Sequence, residues 1–402
     1  MKKTKNPAMT IGILMSAAYF ASYLTRGNMN AVISEICRAL RWDAAQAAPI
    51  VSLGFWSYGV GQLLWGYWGR KIPAKGLMLG GLAVSGVLNL VIPAFSTVTA
   101  LGALWFVNGL AQAAIWPPMS QIMACGISRK TVYDKACTAV TMAGVLATFA
   151  LYLASPLLIR RQGYEAVFYV CGGMALAAAA AVAILGKTIP APERESARIG
   201  GQAFGGGALV GLLLALSFLA GMLREGINAW LPTLLCGVYG LETSSAIFST
   251  LVLPLVGLVS MFLTGRVLVR VFRSEIRTCG ALFVLGLAAS GILALLLGKS
   301  GPILAVALAS LLVGGMYGTH MILTGLVLPS FAGMGSIIFL SGLLNFVSYI
   351  GAAVSSWMFP QIAELGGWQG TVCSWAGICL LGTATALGLE PRWGRFQAEK
   401  QK

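Results

Sequence analysis

The sequence predicts an all-α polytopic membrane protein, with twelve transmembrane helices in two pseudo-symmetric six-helix bundles. Three observations predict it. Of 402 residues, 58% are hydrophobic and only 10% charged, with a mean hydropathy of +0.83. A soluble chain carries about 25% charged residues, and so few charges cannot cover the surface of soluble domains. Apolar segments long enough to cross hydrocarbon recur along the whole chain. The chain also divides nearly in half around one polar stretch, and each half repeats the same short polar pattern.

The predicted spans lie near 11–36, 44–68, 76–95, 98–125, 132–159 and 166–185 in the first half. Those of the second half lie near 206–236, 244–267, 279–297, 302–329, 335–359 and 371–389. Each approaches or exceeds the ~20 residues needed to cross ~30 Å of hydrocarbon. Lys2, Lys3 and Lys5 precede the first apolar run as they would in a secretion signal. That run exceeds the roughly 7–15 residues of a signal core and contains Arg26, so it reads as an uncleaved first helix. The only long polar stretch holds Pro190, Pro192, Glu193, Arg194, Glu195 and Arg198. The predicted organisation is therefore an N-terminal bundle over 1–187, a cytoplasmic linker over 188–205, and a C-terminal bundle over 206–402 with a short cytoplasmic tail.

Loop charge orients the chain. With the N-terminus inside, the cytoplasmic segments hold Lys2, Lys3, Lys5, Arg70, Lys71, Lys75, Arg129, Lys130, Lys135, Lys187, Arg194, Arg198, Arg266, Arg270, Arg273, Arg277, Arg392, Arg395, Lys400 and Lys402. The opposite side holds Arg38, Arg41, Arg160, Arg161 and Lys299, so the split is twenty against five. A basic excess this large marks the cytoplasmic face, and it supports an even number of spans with both termini inside. The formal net charge of +15 is thus mostly a topology signal, and no nucleic-acid partner is expected. The expected location is the cytoplasmic (inner) membrane of a bacterium.

Two basic residues fall deep inside spans, away from their ends. Arg26-Gly-Asn-Met-Asn30-Ala31 in span one matches Arg224-Glu-Gly-Ile-Asn228-Ala229 in span seven. Six spans separate the two segments, so they occupy equivalent places in the two halves. Four residues are about one helical turn, which puts Arg26 with Asn30, and Arg224 with Asn228, on one helix face. Seven residues before each arginine stands another polar group, Tyr19 or Ser217, and Ser22 and Tyr23 thicken the first stripe. Such a seam is unsuited to lipid and suited to a watery cavity. An arginine at mid-membrane costs ~2.5–3.5 kcal/mol on insertion scales, which makes a substrate or ion site the default reading. Two symmetry-related guanidiniums, planar five-donor forks that stay protonated, make a site for a small anionic substrate, phosphate or carboxylate. Glu225 is the one acidic neighbour, and is expected either as charge partner or as a coupling site. Adjacent helix residues point ~100° apart, which favours a partner for Glu225 other than Arg224.

Secondary candidates follow. Trp116-Pro117-Pro118 should break the hydrogen-bond ladder of span four and mark a kink or gate. Glycine-rich stretches at 314–318 and 342–351 permit close helix approach. His320, after Tyr317-Gly318, is either a satisfied polar contact or a substrate or proton site. Asn345 and Tyr349 share a face of span eleven at four-residue spacing. Eight scattered cysteines form no CxxC pair, and a lone histidine cannot complete a zinc site. No cofactor is expected. No nucleophile–base pair, phosphate loop or metal cluster is visible, so an enzyme is not expected.

These residues together resemble the major facilitator superfamily, and within it the organophosphate:phosphate antiporters. The resemblance runs along essentially the whole chain. It rests on Tyr23-Leu24-Thr25-Arg26-Gly27-Asn28, on Tyr58-Gly59 leading to Gly66-Tyr-Trp-Gly-Arg70, and on Gly109-Leu-Ala-Gln112 with Trp116-Pro117-Pro118. In the second half it rests on Leu223-Arg224-Glu225-Gly226-Ile227 with Trp230-Leu231-Pro232-Thr233, on Tyr317-Gly318 and on Tyr349-Ile350-Gly351. The resemblance implies that Arg26 and Arg224 clasp a phosphate; Tyr19, Tyr23, Asn30, Gln62, Asn228, His320 and Tyr349 are the further candidates for substrate contact from their polar placement on the spans. It also implies exchange of a phosphorylated metabolite for inorganic phosphate by rocking of the two halves, in one chain working as a monomer. The chain departs from the glycerol-3-phosphate type. Gly27 and Gln62 stand where those relatives place lysines, span five offers Thr141, Met142 and Gly144 but no histidine, and Gly69 replaces a loop acid. Two other readings stay open: a proton-coupled carboxylate or drug transporter, which Glu225 would serve, and a membrane sensor of a phosphorylated metabolite.

Overall fold

A computed structural model describes residues 7–42, 44–186, 207–241, 246, 249, 252–332 and 337–400. The predicted linker, Lys2, Lys3, Lys5 and the start of predicted span eight lie outside them. The described residues form helices, and no strand occurs among them. In chain order these are α1 Pro7–Leu40, α2 Ala44–Trp68 and α3 Ala74–Val91, then α4 Val98–Gly126, α5 Lys130–Gln162 and α6 Glu165–Leu185. The second half holds α7 Gly207–Tyr239, α8 Val252–Phe272, α9 Glu275–Leu296 and α10 Pro302–Phe331. Ile337–Lys400 is two helices, because Gly367 sits at φ 66° and ψ 179°, outside helical space. We call them α11 (337–366) and α12 (368–400).

Among the described residues, eleven helices are long and apolar enough to cross a membrane. The remaining one, α2, is 25 residues long, ample for a crossing, but Gln46, Ser52, Ser57 and Gln62 dilute its hydropathy. Large apolar side chains such as Leu295, Ile303, Leu365 and Leu387 stand exposed, which is tolerable only against lipid.

Turn chemistry explains the short connections. Gly163, at φ 83°, ends α5 in a conformation that costs a residue with a Cβ dearly. Thr97 and Ser274 cap α4 and α9, their hydroxyls accepting from Ala100 N and Arg277 N, each at 3.3 Å.

The chain divides into two compact units, Met1–Ala197 with Gly335–Leu343, and Arg198–Met334 with Leu344–Lys402. Within the first unit α1 packs along α5, α2 along α4, and α3 along α6. Within the second, α8 packs along α10, α7 along α11, and α9 along α12. The pairing pattern is the same in both, so the repeat seen in sequence is also a repeat of packing. Small residues set the closest approaches: a methyl on Gly221 or Gly351 would collide with the carbonyl oxygen of Ser348 or Phe218.

The last helix continues past the predicted span, to Lys400. Trp393 and Phe396 are buried against Phe331 at the end of α10, with ring centroids 5.9 and 5.0 Å from it. Glu390 accepts from Arg277 Nε at 2.6 Å and Ser274 Oγ at 2.8 Å, and Trp393 Nε1 donates to Glu275 at 3.2 Å. Buried aromatics and satisfied charges hold these turns helical.

Candidate functional site

In the first unit, Arg26 lies in α1 against two rings. Its guanidinium carbon is 3.8 Å from the Tyr58 centroid and 5.1 Å from that of Tyr23. Cation–π contact at that range stabilises a charge that lipid would not. Around it lies a small pocket lined by Arg26, Asn30, Gly54, Tyr58, Trp105, Asn108, Gly109 and Gln112. Arg26 and Asn30 therefore share the pocket, as their spacing requires. Glycines permit the pocket's narrow walls: a Cβ on Gly54 would strike Trp105, and one on Gly109 would strike Ser57.

Behind the pocket, α1, α3 and α4 are joined by a buried amide network. Asn28 Nδ2 donates to Asn89 Oδ1 at 2.6 Å, and Ser85 Oγ to Asn108 Oδ1 at 2.7 Å. Asn108 Nδ2 donates to Thr25 O at 3.0 Å. Gln112 Nε2 donates to Thr25 Oγ1 at 2.6 Å and to Ser85 Oγ at 2.7 Å. Buried hydrogen-bond networks of this kind rigidify a core, so the network holds Asn108 and Gln112 where they meet the pocket.

The other first-half candidates take different places. Tyr19 is buried, its ring 4.8 Å from both Tyr23 and Trp116, its hydroxyl donating to Tyr23 Oη at 3.3 Å. Gln62 does not line this pocket. It is fully buried in α2, and its Nε2 donates to Ala113 O of α4 at 3.3 Å. Trp116, Pro117 and Pro118 start the second segment of α4 after a break at Ala114 and Ile115, as the double proline predicts.

In the second unit, Arg224 is 5% exposed and its Nε lies 2.9 Å from Glu225 Oε1. This corrects the geometric expectation that adjacent residues would diverge: two long side chains close the ~100° offset. Arg224 also lies 5.5 Å from the Tyr317 ring of α10. Asn228 Nδ2 turns back to donate to Arg224 O at 2.8 Å. His320, one turn beyond Tyr317, and Tyr349 on α11 are half-buried, and Thr324 Oγ1 donates to the His320 carbonyl at 2.8 Å.

Tyr58, Trp105, Asn108, Gln112 and Tyr317 were not singled out as site residues from sequence. The signal was available for the amides. Ser85 with Asn89, and Asn108 with Gln112, repeat on otherwise apolar spans the four-residue polar spacing that flagged Arg26 and Asn30. The aromatic partners carry no such signal, since rings are ordinary in membrane helices.

Comparison with known proteins agrees with this architecture. Residues 15–356 match the Major Facilitator Superfamily. A probable hexose phosphate transport protein of Chlamydia pneumoniae is 22% identical over 92% of this chain and 88% of its own length. The voltage-gated purine nucleotide uniporter SLC17A9 of Rattus norvegicus is 24% identical over 38% of this chain and 35% of its own. Among solved structures, the E. coli fucose:proton symporter FucP superimposes with a TM-score of 0.76 at 12% identity, covering 96% of this chain and 99% of that one. The human organic anion transporter MFSD10 does so at 0.72 and 13% identity, covering 95% and 100%. The family match over most of the chain makes it a multi-pass membrane transporter, not an enzyme. The chain belongs to the Major Facilitator Superfamily.

Proposed function

We propose that this transporter moves an organic phosphate or similar small anion across the cytoplasmic membrane of a bacterium, in exchange for inorganic phosphate, by alternating access. Arg26 and Arg224, one from each half of the repeat, are the anion's ligands. The observation that carries the reading is the Arg26 pocket: a guanidinium in a membrane helix, stacked on Tyr58 and flanked by Asn30, Asn108 and Gln112. A charge-assisted fork beside neutral donors is chemistry for an oxyanion. The Chlamydia pneumoniae relative, a probable hexose phosphate transport protein, supports the phosphorylated class. Tyr23, Asn228, His320 and Tyr349 complete the surroundings in this reading, with both termini in the cytoplasm and one chain as the working unit.

Purified protein in phosphate-loaded liposomes should take up external labelled phosphate, and sugar phosphates should compete with it. Absence of uptake, with or without an imposed proton gradient, ends the reading. One observation favours a second: the Arg224–Glu225 ion pair could exchange a proton for an anion. Proton-driven uptake of a carboxylate that needs no internal phosphate would select it.

A further inference from the structure

The break in α4 leaves an account of hydrogen bonds that closes on α2. A helix ending at Ala113 strands its last four carbonyls, those of Leu110, Ala111, Gln112 and Ala113. Ala114 N donates to Ala111 O at 3.1 Å and Ile115 N to Gln112 O at 3.2 Å. The other two are met by side chains of α2: Trp65 Nε1 donates to Leu110 O at 2.8 Å, and Gln62 Nε2 to Ala113 O at 3.3 Å. Pro117 is the reason Ala113 O needs an outside donor, because the residue four places on has no N–H. Gly61 brings α2 close enough, since a Cβ there would lie 2.6 Å from the Ala113 Cβ.

The same two helices form most of the pocket. Tyr58, one turn before Gln62, and Gly54 come from α2; Trp105, Asn108, Gly109 and Gln112 come from the α4 segment that ends at the break. We infer that Gln62 and Trp65 are positioning residues: by supplying the two donors that the α4 break lacks, they lock α2 to α4 and set the shape of the Arg26 pocket. The importance of that shape for substrate rests on the function proposed above. The lock itself does not.

Two exposed positions report on the lock without any substrate, Tyr67 of α2 and Cys125 beyond the break. Spin labels at Tyr67→Cys and native Cys125, with the other cysteines replaced, should give a narrow distance distribution. Gln62→Met with Trp65→Phe keeps shape and removes both donors, and should broaden it. In a Pro117→Ala background the main chain regains an N–H for Ala113 O, so Gln62→Met should there broaden it much less. An unchanged distribution in the double variant, or a Gln62→Met effect that is the same with Pro117 or Ala at 117, overturns the inference. In liposomes, the KM for inorganic phosphate should rise at least threefold in Gln62→Met and recover in Gln62→Met/Pro117→Ala. Wild-type protein that exchanges no phosphate would speak against the proposed substrate and leave the spin-label result to decide the lock.

Discussion

Arg26 and Arg224 have different neighbours despite their equivalent places. Arg26 lies on rings, Tyr58 and Tyr23, whereas Arg224 is held by a carboxylate on the next residue. Lysine at either position keeps the charge and loses the planar fork. We expect Arg26→Lys and Arg224→Lys each to weaken phosphate binding at least about tenfold, or about 1.4 kcal/mol, measured as the KM of exchange in liposomes. Tyr58→Leu removes the closest cation–π contact, about 0.5–2 kcal/mol, and should raise the same KM several-fold without lowering the amount of folded protein. Glu225 is more than a third exposed but Arg224 is buried, so Glu225→Gln strips a buried guanidinium of its counter-charge and should lower the unfolding temperature. If exchange is driven by phosphate alone, the same substitution should leave the response to a proton gradient unchanged, and a lost response would assign Glu225 to coupling.

Helices in lipid have no hydrophobic reason to adhere to each other, so close packing and buried polar bonds must supply the adhesion. In this chain both occur along particular helix pairs. Gly54 and Gly109 let α2 meet α4, and Gly221 and Gly351 let α7 meet α11. Gly109→Leu and Gly351→Leu overfill these seams at a cost of about 1–3 kcal/mol each, and both should lower the unfolding temperature in detergent. A matching leucine at Gly173, which faces open space, should not. The segment from Glu390 to Lys400 behaves as part of the second unit. Trp393→Ala removes a buried ring and the partner of Glu275, and should destabilise by about 3–5 kcal/mol, read as a fall in unfolding temperature.

Twelve helices, two halves and an intramembrane arginine in each could be read from residues alone. Hydropathy and polar spacing are local properties, and a membrane leaves a chain only one way to satisfy its backbone in such segments. The repeat of Arg26-Asn30 in Arg224-Asn228 was legible for the same reason, as was the kink at Pro117. Partners were not legible, because they depend on which helix lies alongside. Gln62 donates an amide N–H to the Ala113 carbonyl of α4, 51 positions away. Glu225 looked turned away from Arg224 until flexible side chains closed the gap. The last turns, beyond the predicted span, bury Trp393 and Phe396 against Phe331. Sequence could say which groups are costly in lipid, since that cost belongs to the residue. Which neighbour offsets the cost belongs to packing, and only the folded helices bring the neighbour into reach.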